Sequence, residues 1–207
     1  MAEISAAVLA RALTRAGKSF APDELAYLSL TSKPEHPVRD RMAWVLHTEL
    51  PGCVAAREWS PEGGRARTDL AVLDASTYEP LALVEMKAAY TFDFAREGQR
   101  STAQYLRSMA EDLDKARAVG GSRTRLFAVL LLTHPATAPL GPSRVVKYGP
   151  EMARSLRERS AADLVAAARR NAGSGLSEMG SVRNGTLPAG TAFGVEVALD
   201  YFLVSAE

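Results

Sequence analysis

Leu126-Phe127-Ala128-Val129-Leu130-Leu131-Leu132 is a run of seven consecutive apolar residues, and it constrains the fold more than any other part of the chain. Such a run is far too short to span a bilayer, and it has no polar face to turn to water. It therefore predicts a strand buried on both faces. A second continuous apolar run, Leu81-Ala82-Leu83-Val84, lies upstream. Between the two, residues 98–119 place Leu106, Met109, Leu113 and Ala116 at helical spacing, and Gly120-Gly121 stops the pattern. A helix crossing between two buried strands favours their parallel pairing in one sheet.

Further elements precede this unit. Ser32-Lys33-Pro34-Glu35 reads as a helix start, with Ser32 as cap, Pro34 in the first turn and Glu35 closing a capping box. Val38, Met42, Val45 and Leu46 then share a face until Pro51-Gly52. Residues 53–59 and 66–73 read as strands joined by a turn at Ser60-Pro61-Glu62-Gly63-Gly64. The expected core is thus an α/β arrangement of helix, three strands, helix and strand, with a mixed sheet flanked by helices. Trp44, Trp59 and Cys53 are read as core residues.

The flanks are less defined. Residues 3–16 carry Ile4, Val8, Leu9, Ala12 and Leu13 on one helical face, ended by Gly17, and a short helix is expected around 22–30. These form an N-terminal extension or a surface for a further protein partner. Residues 151–170 read as a helix, 171–190 as a glycine-rich loop, and 191–204 as one more strand. The organisation expected is a single domain over 1–207, with an extension over 1–33, a core over 34–133 and a C-terminal part over 134–207.

A chain of 207 residues suits one substantial core. With 25 Lys and Arg against 24 Asp and Glu, the net charge of +1 argues against nonspecific coating of nucleic acid. It leaves room for a local basic cleft, built mostly of guanidinium groups because only five of the cations are lysines. A single cysteine permits no internal disulfide and fits a reducing compartment. Arg11 and Arg15 interrupt the N-terminal apolar residues, so no secretory signal is read there, and no run is long enough for a membrane span. A cytoplasmic protein without membrane association is expected. His36, His47 and His134 lack zinc-ligand spacing.

Chemistry concentrates at Val84-Glu85-Met86-Lys87. Glu85 and Lys87 sit at i and i+2 on a buried strand, so they leave the same face, where two charges are costly unless something uses them. Asp69 lies on the preceding strand, with fifteen residues between it and Glu85. Two neighbouring carboxylates repel, and a hard divalent cation is the usual reason to assemble them. Mg²⁺, with Mn²⁺ as a substitute, would acidify a water and offset phosphate charge, and a lysine beside it would stabilise the transition state. The Glu-x-Lys triplet alone is weak, since about 0.4 copies are expected by chance at this composition. Its position at the end of an apolar strand, after a strand bearing Asp, sharpens it.

In these residues the segment 34–133 resembles the PD-(D/E)xK nuclease superfamily, whose core is a restriction-endonuclease-like αβββαβ fold. The resemblance covers about half the chain. It implies that Asp69 and Glu85 ligate Mg²⁺ with the Met86 backbone carbonyl, that Lys87 is catalytic, and that Glu35 is the acidic residue of the first helix. Thr68 stands where the motif has proline, and the Gln-x-x-x-Tyr of the RecB-like branch is missing, because Ser108 follows Gln104 by four. The activity implied is endonucleolytic cleavage of DNA, of restriction or phage-defence type. Alternatives are a structure-selective repair nuclease, an inactive nucleic-acid-binding scaffold of the same fold, or action on RNA. Arg65 and Arg67 beside Asp69, with Arg100, Gln104 and Arg107 on the following helix, are the expected DNA contacts. A homodimer is expected because cutting both strands at once needs two sites. The plainer readings are a surface ion pair for Glu85 and Lys87, helix capping for Glu35, and a solvated face for the polar stripe over 100–115.

Overall fold

The structure is a computed structural model, and it describes residues 4–64, 67–96, 98–139 and 145–206. In chain order it contains α1 (Ala6–Lys18), α2 (Glu24–Thr31), α3 (Glu35–Glu49), β1 (Cys53–Trp59), β2 (Thr68–Asp74) and β3 (Pro80–Tyr90). Then come the short α4 (Thr91–Phe94), α5 (Arg100–Val119), β4 (Arg125–Pro135), α6 (Gly149–Glu158), α7 (Ala161–Ser177), β5 (Gly180–Ala192) and β6 (Val195–Ala206). The strands form one six-stranded mixed sheet in the order β1-β2-β3-β4-β6-β5.

The two apolar runs become the centre of this sheet. β3 and β4 pair in parallel from Ala82↔Arg125 to Tyr90↔Thr133, with α5 making the crossover, and every other pairing is antiparallel. Along β4, Phe127, Val129 and Leu131 face one way, into a core with Leu9 and Leu13 of α1, Leu25 and Leu30 of α2, and Met42 of α3. Ala128, Leu130 and Leu132 face the other way, against Met109 and Leu113 of α5 and Leu176 of α7. Each such buried leucine contributes about 1.5–3 kcal/mol. No helix among the described residues is long and apolar enough to cross a membrane.

The expected order over 34–133 is present: α3, three antiparallel strands, α5, and a strand parallel to the third. Several expectations are corrected. Ser32 does not cap α3. It closes α2, donating its hydroxyl to the Leu28 carbonyl, and Pro34 stands at the α3 cap without a side-chain bond. Trp44 is 65% exposed on α3, not core, and Trp59 is only partly buried.

The largest correction concerns the glycine-rich segment, which is not a loop. α7 runs on to Ser177, and Gly180–Ala192 is a strand hairpinned onto β6 through Phe193-Gly194, both at positive φ. Its glycines serve close packing. A Cβ on Gly185 would stand 2.6 Å from the Tyr201 hydroxyl, and one on Gly175 would stand 2.3 Å from Leu106. The helix expected over 151–170 is two helices, separated where Ser160 caps α7 by accepting the Asp163 N–H. α1 and α2 pack on β5 and β6, so the apolar face expected for a partner is covered by the chain's own sheet.

Candidate active site

β2 and β3 pair only as far as Leu70↔Val84, while β2 continues along β1 to Trp59↔Thr68. Beyond Val84, the β3 edge that faced β2 has lost its ladder partner. Two carboxylates fill the gap. Asp69 Oδ2 accepts the Met86 N–H at 2.7 Å, and Glu35 Oε2, from the first turn of α3, accepts the Ala88 N–H at 2.9 Å. Glu35 is therefore drawn to the sheet and does not form a capping box. A strand residue points its C=O to the same edge as its N–H, so the Met86 carbonyl also lies on this open edge.

Glu85 and Lys87 project from β3 onto the α5 face. Glu85 is 8% exposed, and its carboxyl is pushed up to about 8 by burial first, then by the negative charges of Asp69 and Asp112. The neighbouring Asp69 carboxylate thus favours the protonated form of Glu85. Lys87 Nζ lies 2.5 Å from Asp112 Oδ2 on α5. Burial pulls the Lys87 ammonium down, but Asp112, Asp69 and Glu35 together hold it above the ordinary lysine value.

The opposite flank of Asp69 is held by a buried arginine. Arg39 Nη1 is 3.8 Å from Asp69 Oδ1, and the same guanidinium pairs with Glu58 and Asp40. Glu58 lies across from Asp69 on β1 in a left-handed conformation, φ 50°.

The structure thus brings Asp69, Glu85, Lys87 and Glu35 together. Among the described residues no three His, Cys, Asp or Glu side chains form a ready cluster for a metal ion. The N–H groups that hold Asp69 and Glu35 are two residues apart, about 7 Å along the strand. The pair closest to a cation's needs is Asp69 with Glu85.

Of the expected nucleic-acid contacts, Arg67 is exposed just before β2, and Arg100, Gln104 and Arg107 line an exposed stripe of α5. Arg65 lies outside the described residues. Asp112 and Arg39 were missed by the sequence reading. Their signal was available: Arg39 falls at apolar-stripe spacing with Met42 and Leu46, and Asp112 lies two turns beyond Tyr105 on the stripe bordering the α5 core. That stripe carries a further contact, since Lys33 Nζ donates to the Tyr105 hydroxyl at 2.9 Å.

A second buried polar cluster lies elsewhere on the same sheet face. Asp200 receives Arg169 through two bonds, at 2.6 and 3.0 Å, the Thr186 hydroxyl at 2.6 Å, and lies 2.8 Å from His134 Nε2. These partners outweigh burial and hold its carboxyl well below the usual range. Both oxygens are saturated, which suits a structural tie between β4, β5, β6 and α7.

No protein-family model matches the chain, and no curated protein or solved structure shows significant similarity to it.

Proposed function

We propose that the protein is a Mg²⁺-dependent nuclease that hydrolyses phosphodiester bonds in DNA, an endonuclease of restriction or phage-defence type. The observation that carries this reading is the pair of carboxylates, Asp69 and Glu35, seated on the β3 edge that β2 has vacated, beside Glu85 and Lys87. The order of elements over residues 35–135 supports it as the αβββαβ arrangement of the PD-(D/E)xK superfamily.

The donor chemistry suits Mg²⁺. Asp69 and Glu85 offer hard oxygens, and the mutual repulsion that helps to raise Glu85 is what a cation relieves. Asp69, Glu85 and the Met86 carbonyl would hold the ion, with Glu35 at the flank; Mn²⁺ would serve the same donors. A bound ion supplies an acidified water and a counter-charge for the phosphate. Within the chain, Lys87 places an ammonium against charge developing on the phosphate oxygens. Arg39 holds the Asp69 carboxylate from behind, and the exposed Arg67, Arg100 and Arg107 offer guanidinium groups to flanking phosphates.

Incubation with supercoiled, linear, single-stranded and branched DNA, and with RNA, in Mg²⁺ or EDTA tests the reading. Cleavage of DNA in Mg²⁺ alone is expected. Binding without cleavage of any substrate would make the chain a scaffold, and cleavage confined to branched DNA would make it a repair nuclease. Double-strand cleavage needs two copies of this site, so a homodimer is proposed, and light scattering with and without duplex decides it.

A further inference from the structure

We infer that Asp112 is a positioning residue for Lys87, setting the ammonium on the α5 side of the site; this rests on the nuclease reading. Asp112 is a polar residue on the flank of a helix whose neighbouring positions, Met109, Leu113 and Ala116, are buried against the sheet. Its side chain is only 14% exposed and is turned toward β3. There Oδ2 takes Lys87 Nζ at 2.5 Å, while Oδ1 takes Lys115 Nζ at 2.7 Å from the solvent side. Both carboxylate oxygens are thus committed, and the Asp112 side chain is braced between two lysines.

Lys87 has other anions within electrostatic reach, Asp69 and Glu35 among them. Its close ion pair is nevertheless with Asp112. A four-carbon side chain emerging from β3 can swing over several ångströms. Without Asp112 it would fall back on the Asp69 carboxylate, where it competes with a cation for the same oxygens. With Asp112 the ammonium is kept beside those oxygens and off them. Asp112 touches neither substrate nor reacting atoms in this scheme; it acts through Lys87.

Three variants test this: Asp112→Asn, Lys87→Ala and the double variant, with Asp114→Asn as control. Asp114 lies on the same helix, pairs only with Arg117 among the described residues, and is 75% exposed, so its loss should leave cleavage unchanged. Asp112→Asn should lower kcat by roughly tenfold to a hundredfold, the scale of a small misplacement of a reacting group. KM and duplex affinity should stay within twofold, and Asp112→Glu should recover part of kcat. Because Asp112 acts through Lys87, the double variant should cleave no more slowly than Lys87→Ala alone. Reductive methylation read by mass spectrometry gives a readout free of activity: Lys87 should be protected in the wild type and modified faster in Asp112→Asn.

A wild type that cleaves, with Asp112→Asn equal to it in kcat, overturns the positioning role and leaves the nuclease reading standing. So do additive losses in the double variant. A wild type that cleaves nothing overturns the nuclease reading itself, and the role with it. Methylation of Lys87 at equal rates in wild type and Asp112→Asn overturns the ion pair.

Discussion

Asp69 Oδ2 accepts the Met86 backbone N–H at 2.7 Å across the gap where β2 has left β3. An acid is thereby placed beside the Glu85 carboxyl, whose charged form it disfavours. An asparagine at 69 can still accept the same N–H through its amide oxygen, so the fold should survive, but a neutral amide is a poor Mg²⁺ ligand. Asp69→Asn and Glu85→Gln are each expected to lower Mg²⁺ or Mn²⁺ affinity at least tenfold in calorimetric titration. Wild-type binding by both variants would show that the carboxylates are structural.

Lys87→Ala is expected to reduce cleavage by about 10²–10³, the scale of losing one preorganised donor to transition-state charge. Stability should change little, because the ammonium is partly exposed and Asp112 keeps Lys115. A folded variant that cleaves within threefold of wild type would remove Lys87 from the chemistry.

The raised Glu85 carboxyl predicts how the metal-free protein responds to pH. The group's ordinary value is 4.5 and burial with Asp69 pushes it up to about 8. Below 4.5 both folded and unfolded states hold the proton, and its contribution is full. Between the two values the unfolded chain releases the proton and the folded one keeps it, so stability falls with rising pH, by up to about 1.4 kcal/mol per unit. Asp93, raised by burial, adds the same sign. The difference between wild type and Glu85→Gln therefore isolates Glu85. Urea unfolding in EDTA at pH 5, 6.5 and 8 should show that the variant loses much of the slope, and parallel curves would refute a retained proton on Glu85.

Duplex affinity at a net charge of +1 must come from a local patch. Arg67→Ala and Arg100→Ala should each weaken binding to all sequences alike and reduce the salt slope by about one. Arg154→Ala and Arg157→Ala, on the exposed side of α6, should have smaller effects. The reverse order in fluorescence anisotropy across a salt series would place the nucleic acid on the other face.

The corrected packing gives a contrast in stability. Gly185→Ala puts a methyl group 2.6 Å from the Tyr201 hydroxyl and should cost about 1–3 kcal/mol by overpacking. Trp44→Ala removes a ring that is 65% exposed and should cost less than about 1 kcal/mol, where a core tryptophan would cost about 3–5. Equal losses in denaturant unfolding would contradict both placements.

The sequence by itself determined the centre of the molecule and the chemistry set into it. Leu81–Val84 and Leu126–Leu132 are apolar on both faces, the pattern over 98–119 is helical, and so a parallel β3–α5–β4 unit was readable. Glu85 and Lys87 were readable for the same reason, as charges on a strand that has no local use for them. These signals are local, since periodicity and apolar runs depend only on neighbouring residues. Tertiary structure decided the rest. Ser32-Lys33-Pro34-Glu35 reads locally as a helix start, yet in the assembled fold Ser32 closes α2 and Glu35 turns to β3. The segment 171–190 reads as loop because glycine locally signals freedom; against Tyr201, Gly185 instead permits close approach of β5 to β6. Arg39 and Asp112 owe their places to partners 30 and 25 residues away, Asp69 and Lys87, and ion pairs over such separations form only once the sheet and helices have been assembled.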